Sequence, residues 1–275
     1  MPRITLLTDF GTRDGYVGAM KGVMASVFPG VTVDDISHSV APGDVEGASL
    51  SLTRYWDRYP SGTVHVVVVD PGVGTDRRPL AVEADRKLLV APDNGVLSGV
   101  LESGAKVRVV KIENVDYLAR NPSATFHGRD VFAPAAAFLA RGVHISRLGS
   151  RVSDPIRLAE PEVEEDGEFV SARVVSMDRF GNLITNLRGA GGEVAREVEV
   201  DGQSIPVVRT YGDVDSRSLA AVVNSDGRLE VAARDASAAD LLDAGIGTRV
   251  RIRVSPEGAQ AQGLGPMASE PERGK

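Results

Sequence analysis

One apolar run rich in Val is Thr63 to Val69, in TVHVVVVDPGVGTDRRPL. An unbroken β-branched run of this kind predicts a strand buried on both faces, the centre of a parallel sheet. Arg3–Thr8 (RITLLT) predicts a first buried strand ending in Asp9-Phe10-Gly11. Tyr16–Phe28 places Val17, Met20, Val23, Met24 and Val27 at spacings of three and four, which predicts a helix with Asp14 as its N-cap. Val31–Ile36 reads as a second strand, and Asp44 as the start of a helix over Val45–Tyr55. Leu80–Ala84 and Lys87–Pro92 form a hairpin around Asp85-Arg86. Asp93-Asn94-Gly95 opens a helix that ends near Ser103, and Val107–Ile112 is a strand. Asn121–Asp130 is a polar loop, followed by a helix over Val131–Arg141.

The pattern changes after Leu158. EPEVEEDGE is an acidic linker candidate. Beyond it the apolar positions alternate with a period of two. They predict strands at Phe169–Asp178, Leu183–Leu187, Glu197–Val200, Ile205–Arg209, Ala220–Asn224, Leu229–Ala233 and Thr248–Val254. The fold expected is therefore an N-terminal layered α/β domain with a largely parallel sheet (1–157), a linker (158–168), and a small all-β barrel (169–255). The Gly-, Ala- and Pro-rich stretch at 256–275 reads as a disordered tail.

Composition narrows the chemistry. The 275 residues include no Cys, which removes disulfides, cysteine nucleophiles and thiolate metal sites. A net charge of -7 with no basic cluster argues against nucleic acid. No apolar run approaches the ~18 residues of a membrane span. The N-terminal MPRITLLTDFG lacks a signal-peptide core, so a cytoplasmic location is expected.

Three residues stand out. Asp70 ends the central strand, and Arg77 follows seven residues later across a tight turn, within reach of a bidentate contact. The pair reads equally as a structural ion pair and as part of a site. His127 is one of four His; it lies in a loop, with Gly128 beside it for close approach and Arg129-Asp130 following. His65 lies in the apolar run and reads as a core residue; His38 is in a loop without an evident partner, and His144 is beside a helix end. Asp9 follows a strand directly, and reads either as a turn-forming Asp or as a ribose ligand. The phosphate-loop and dinucleotide fingerprints are missing, as are G-x-S-x-G and H-E-x-x-H. Convergence of Asp9, Asp70 and His127 on a metal is an alternative, though not the favoured one.

The ordered motifs TDFGTRDGYVGAMKGV, VVDPGVGTDRRPL, APDNGVL, ATFHGRDVFAPAAA, DRFGNLITN and NSDGRLEVA resemble the S-adenosylmethionine hydroxide adenosyltransferases, relatives of the fluorinase and chlorinase that use the same substrate. The resemblance runs from about Arg3 to Val254. It implies cleavage of S-adenosyl-L-methionine by water to adenosine and L-methionine, without a cofactor or metal. It also implies a homotrimer with the site at the subunit interface. By the same resemblance Asp70, Arg77 and His127 are catalytic, and Asp9 binds the ribose. Asn182 reads the adenine, with Ala233 and Asp235 bordering it, and Asp14 and Ser225 lie at the methionine end. The halogenating relatives carry an aromatic where this chain has Asp70, which favours water over halide. Gly43 and Arg234-Asp235 depart from the usual family residues at the methionine and adenine ends. In this mechanism a neutral thioether leaves, so no strong acid is needed. Arg77 supplies charge to the water, and either Arg77 polarises while His127 accepts a proton, or the roles are shared differently. A sensor that binds the nucleoside without turnover is the alternative outside enzymes.

Overall fold

The computed structural model describes residues 2–103, 106–166, 169–188 and 195–254. The sequence-predicted tail at 256–275 lies outside the described residues, as do Gly167 and Glu168 of the expected linker. The chain divides into two compact units, Met1–Ala159 and Glu160–Lys275.

The first unit is built on six strands: β1 (Arg3–Thr8), β2 (Thr32–Ser37), β3 (Val64–Val68), β4 (Pro79–Ala84), β5 (Lys87–Pro92) and β6 (Val107–Lys111). Their order is β2-β1-β3-β5-β4-β6. The first four in that order pair in parallel, and β4 runs antiparallel to both β5 and β6. The sheet is thus mixed, with a parallel half and an antiparallel edge. All five residues of β3 are buried. Val64, Val66 and Val68 face one core, with Met20 and Met24 of helix α1 (Tyr16–Val27) and the Ala-rich helix α4 (Ala133–Ala140). Val67 faces a second core, with Leu52 of α2 (Val45–Tyr55) and Val100 of α3 (Ser98–Ser103). Helices on both faces explain why the run is continuous rather than alternating. The β4–β5 turn is the expected two-residue hairpin: Asp85 and Arg86 both take positive φ, 46° and 62°.

Three local expectations change. Asp44 caps α2, accepting from the Gly47 N–H at 2.8 Å, but Asp14 does not cap α1. Gly15 takes that position in the left-handed conformation, φ 78°, and leaves Asp14 exposed ahead of the helix. The polar loop ends earlier than expected, because Gly128–Phe132 forms a π-helical turn that runs into α4. His38 is not a loose loop residue; it is buried, with its Nδ1 2.9 Å from Thr8 Oγ1 and its Nε2 3.0 Å from Asp35.

The second unit is an antiparallel β structure of β7 (Glu164–Asp166), β8 (Phe169–Met177), β9 (Leu183–Arg188), β10 (Ala195–Val200), β11 (Gln203–Ile205), β12 (Leu219–Val223), β13 (Arg228–Ala233) and β14 (Arg249–Val254). The order is β11-β10-β14-β8-β9-β13-β12, with β7 on β8. β7 falls within the stretch read as a linker. A register shift at Val174/Ser176 turns β8 from β14 to β9. The strand expected over Ile205–Arg209 stops at Ile205, since Pro206 has no N–H to give a ladder. The chain then crosses to β12 through a parallel bridge between Val207 and Ala221, which nearly closes the barrel. A short helix, α5 (Ala238–Leu242), interrupts the all-β pattern; the Ser237 side chain caps it, accepting from the Asp240 N–H. No helix among the described residues is long and apolar enough to cross a membrane.

Candidate active site

The parallel half of the sheet directs its loops to the carboxyl ends of β1, β2 and β3, where ligands of α/β folds bind. Asp70 sits two residues beyond β3. The turn that follows is closed by its own backbone: Val73 N–H donates to Asp70 at 3.2 Å and Thr75 N–H to Gly72 at 3.1 Å. It returns Arg77 over Asp70. Arg77 Nε lies 2.9 and 3.0 Å from the two Asp70 oxygens, and Nη2 makes a further short bond to Oδ2. Both side chains are buried, 7% and 5% exposed, so this is a desolvated pair rather than a surface one. The neighbouring Arg78 does something else. It binds buried Asp93 and exposed Asp154, fastening the edge of the sheet.

His127 comes to the pair from the other loop. Gly74, at φ 81°, lies against the Ala124 carbonyl so closely that a Cβ there would stand 2.7 Å from the oxygen. This approach brings the His127 Nδ1 to 2.7 Å from Arg77 Nη2. The His127 loop is braced by Asp130, which accepts from the Ser123 N–H at 2.8 Å and pairs with Arg129. Gly128 lets the loop pack closely, since a Cβ there would stand 3.1 to 3.2 Å from the Phe10 and Phe126 rings and would need them to shift. Phe132, at the end of the π turn, places its ring 5.2 Å under the Arg77 guanidinium.

Protonation follows from this geometry. Arg77 only donates, so Nδ1 of His127 accepts and the ring proton is on Nε2. Burial and then the Arg77 charge hold the His127 pKa below its usual value, while Asp70 and Asp130 oppose the shift. Arg77 Nη1 is buried and has no hydrogen-bond partner among the described residues. The arrangement therefore presents donors, one of them a desolvated guanidinium arm. It does not form the alternative metal site. No group of three or more His, Asp or Glu among the described residues is placed to hold an ion.

Asp9 lies at the end of β1, and its Oδ2 accepts from the N–H of Gly43 at 2.9 Å, 34 residues away. It is not a self-bonded turn residue. Gly43 takes φ 76° and lies near Pro71, so Asp9 ties the end of β1 to a loop that itself lies beside the turn after β3. In the second unit Asn182, Ala233 and Asp235 line one pocket of about 710 Å³, together with Phe180, Tyr211 and Asp178. The Asp178 carboxylate fixes Asn182, accepting from its side-chain N–H₂ at 2.9 Å and its backbone N–H at 3.0 Å. Ser225 stands outside this pocket, exposed in the turn between β12 and β13. Tyr211 was not legible as a pocket residue. Its one sequence signal is the Thr210–Asp213 capping box that sets the turn bearing it.

An α/β unit with a buried Asp–Arg pair and a half-buried His at its sheet's carboxyl edge, joined in one chain to a barrel with an Asn-lined pocket, defines a two-unit protein without a phosphate loop. Residues 4–149 match the N-terminal domain of SAM hydroxide adenosyltransferase, and residues 172–251 match its C-terminal domain. The chain belongs to this family. It is 41% identical over 255 residues to an (R)-S-adenosyl-L-methionine hydrolase of Salinispora tropica, covering 91% of this chain and 97% of the relative. A fluorinase of an Actinoplanes species is 28% identical, with 84% of this chain and 90% of that protein covered. The crystal structure of an uncharacterized conserved protein from Thermotoga maritima superposes with a TM-score of 0.83 at 36% identity, over 90% of this chain and 99% of that one.

Proposed function

We propose that the chain hydrolyses S-adenosyl-L-methionine to adenosine and L-methionine, by attack of an activated water on ribose C5′. The observation that carries this reading is the Arg77 guanidinium. Nε and Nη2 are committed to Asp70 and His127, and the buried Nη1 is left to bind an acceptor. A desolvated cation with free N–H groups stabilises a hydroxide-like oxygen more than a neutral one. His127 adds a second donor at Nε2. Two donors on one water favour loss of its proton to solvent before attack. The O–C5′ bond then forms as C5′–S breaks, and the sulfur keeps the pair as a neutral thioether. One water is consumed and one proton released per turnover. Asp70 orients Arg77 and offsets the cost of burying it.

Binding roles follow the family resemblance. Asp9 takes the ribose hydroxyls, Asn182 the adenine with Ala233 and Asp235 at its border, and Asp14 and Ser225 the methionine end. Holding C5′ in line with the water is worth roughly 7–11 kcal/mol of the barrier. The name of the Salinispora tropica relative supports this substrate and specifies the (R) sulfonium epimer. The reading extends to a homotrimer with its site at the subunit interface. Arg77→Lys and Asn182→Ala chains, each inactive alone, then restore activity when mixed and reassembled; no restoration rules out the shared site.

The deciding experiment supplies each sulfonium epimer in ¹⁸O-water and follows products by chromatography and mass. Equal adenosine and methionine, with the label on the adenosine 5′-oxygen, is the expected result. Unlabelled adenosine overturns attack at C5′. A 5′-halo-adenosine formed in fluoride or chloride moves the chain to halogenation. Binding heat without product makes it a sensor.

A further inference from the structure

Among the described residues, the second unit buries one carboxylate that the proposed chemistry does not use. Glu230 sits on β13, between Val222 of β12 and Ile184 of β9, and is 3% exposed. A strand interior with apolar neighbours calls for an apolar residue. A buried carboxylate there needs donors, and Glu230 has two, from two separate segments. Its Oε1 accepts from the Tyr211 hydroxyl in a short bond. Its Oε2 accepts from the Asn224 side chain at 2.9 Å.

Each partner organises a different surface. Tyr211 lies in the turn capped by Thr210 and Asp213, and its half-exposed ring lines the pocket that holds Asn182. Asn224 builds the turn carrying Ser225: its Oδ1 accepts from the N–H groups of Asp226 at 2.9 Å and Arg228 at 3.1 Å. We propose that Glu230 is a positioning residue that locks the Tyr211 ring into the wall of the nucleobase pocket and ties that wall to the Ser225 turn. This rests on the reading of that pocket as the adenine site. The bond is durable, because burial and the Glu230 charge raise the Tyr211 pKa and keep its phenol a donor across the working pH range.

A merely structural carboxylate behaves differently when replaced. It lowers the folded fraction, which scales kcat and leaves KM and ligand affinity alone. A positioning carboxylate changes affinity for the base, far from C5′, and leaves kcat in place. The test is steady-state kinetics with S-adenosylmethionine and calorimetry with adenosine, on Glu230→Gln, Tyr211→Phe and the double variant. Gln can still accept from Tyr211, but its N–H₂ then faces the N–H₂ of Asn224. Phe cuts only the other arm.

Both single variants are expected to raise KM and the adenosine Kd about tenfold, as loss of a hydrogen bond to a charged group does, with kcat within about threefold. The double variant is expected to be little worse than either single one. KM and Kd within about twofold of wild type, or additive losses, overturn the inference. If Glu230→Gln does not fold, Tyr211→Phe decides alone, since it removes one oxygen from a half-exposed ring. Wild-type protein without turnover defeats the hydrolase reading instead, and the adenosine titration still decides Glu230.

Discussion

The proton inventory at Arg77 and His127 decides what the site can do. From the residue types alone His127 could serve as a base, since its unperturbed pKa is near ~6.5. In the folded chain its Nδ1 faces an obligate donor, so the neutral Nε2–H form is the one that fits. Protonating His127 sets N–H against N–H and breaks the set. Because the His127 pKa is lowered, the acid limb of kcat/KM is expected to have its midpoint below ~6.5. A limb centred above that value in a pH profile assigns it to another group. Arg77→Lys is expected to lower kcat about 10²–10³-fold, because one ammonium cannot hold Asp70, His127 and the water at once. Loss of less than tenfold in initial-rate assays defeats the role given to Nη1. The Asp70–Arg77 spacing was visible in the sequence, and so was the site-like setting of His127. The tautomer was not, because it depends on a contact across 50 residues. The sequence points to Asp14 as the cap, but Gly15, with no side chain to signal it, takes that position in the left-handed conformation.

Two loops rather than two helices assemble the site, and Gly74 sets their distance. An added methyl there meets strain at φ 81° and the Ala124 carbonyl 2.7 Å away, which is backbone and cannot swing aside. Gly74→Ala is therefore expected to part the turn after β3 from the His127 loop and to lower kcat by about 10²-fold, the cost of misplacement by roughly 1 Å. The measurement is kcat with the far-ultraviolet circular dichroism unchanged; a wild-type kcat means that Gly74 does not fix His127. At this scale the sequence was most readable where one physical rule acts alone. The Val run of β3 announced burial on both faces, and Asp85-Arg86 announced a hairpin. It was least readable where neighbours intervene. Pro206 ends β11 by withholding one N–H, and Val207 then pairs with Ala221 of β12. Ser237 and Asp240 carried a capping signal for α5, but a helix of five residues leaves too short a period to detect.

The sheet of the first unit separates chemistry from stability between its two ends. The reactive set lies beyond the carboxyl ends of the parallel strands. Towards the other end, His65 of β3 is fully buried, its Nδ1 bonded to Thr5 of β1 at 2.8 Å and its ring against Tyr55 and Tyr59. Burial, and then the charge of Lys87, push its pKa down to about 3. The unfolded chain binds a proton on this His below ~6.5 and the folded chain does not. Stability from this group is therefore complete above ~6.5 and is lost as pH falls toward about 3, by up to about 1.4 kcal/mol for each pH unit. His65→Gln keeps a polar side chain for Thr5 and removes the titration. Carboxylates elsewhere titrate alike in both proteins, so the difference between them isolates His65. Urea unfolding between pH 7 and 4, followed by the fluorescence of the single tryptophan, Trp56, in the same unit, measures it. The wild-type stability should fall more steeply with acid than that of the variant, and a difference independent of pH assigns the acid sensitivity elsewhere. The two acid effects are then separable. His127 governs kcat/KM in protein that is still folded, and His65→Gln leaves that limb in place while flattening the stability curve.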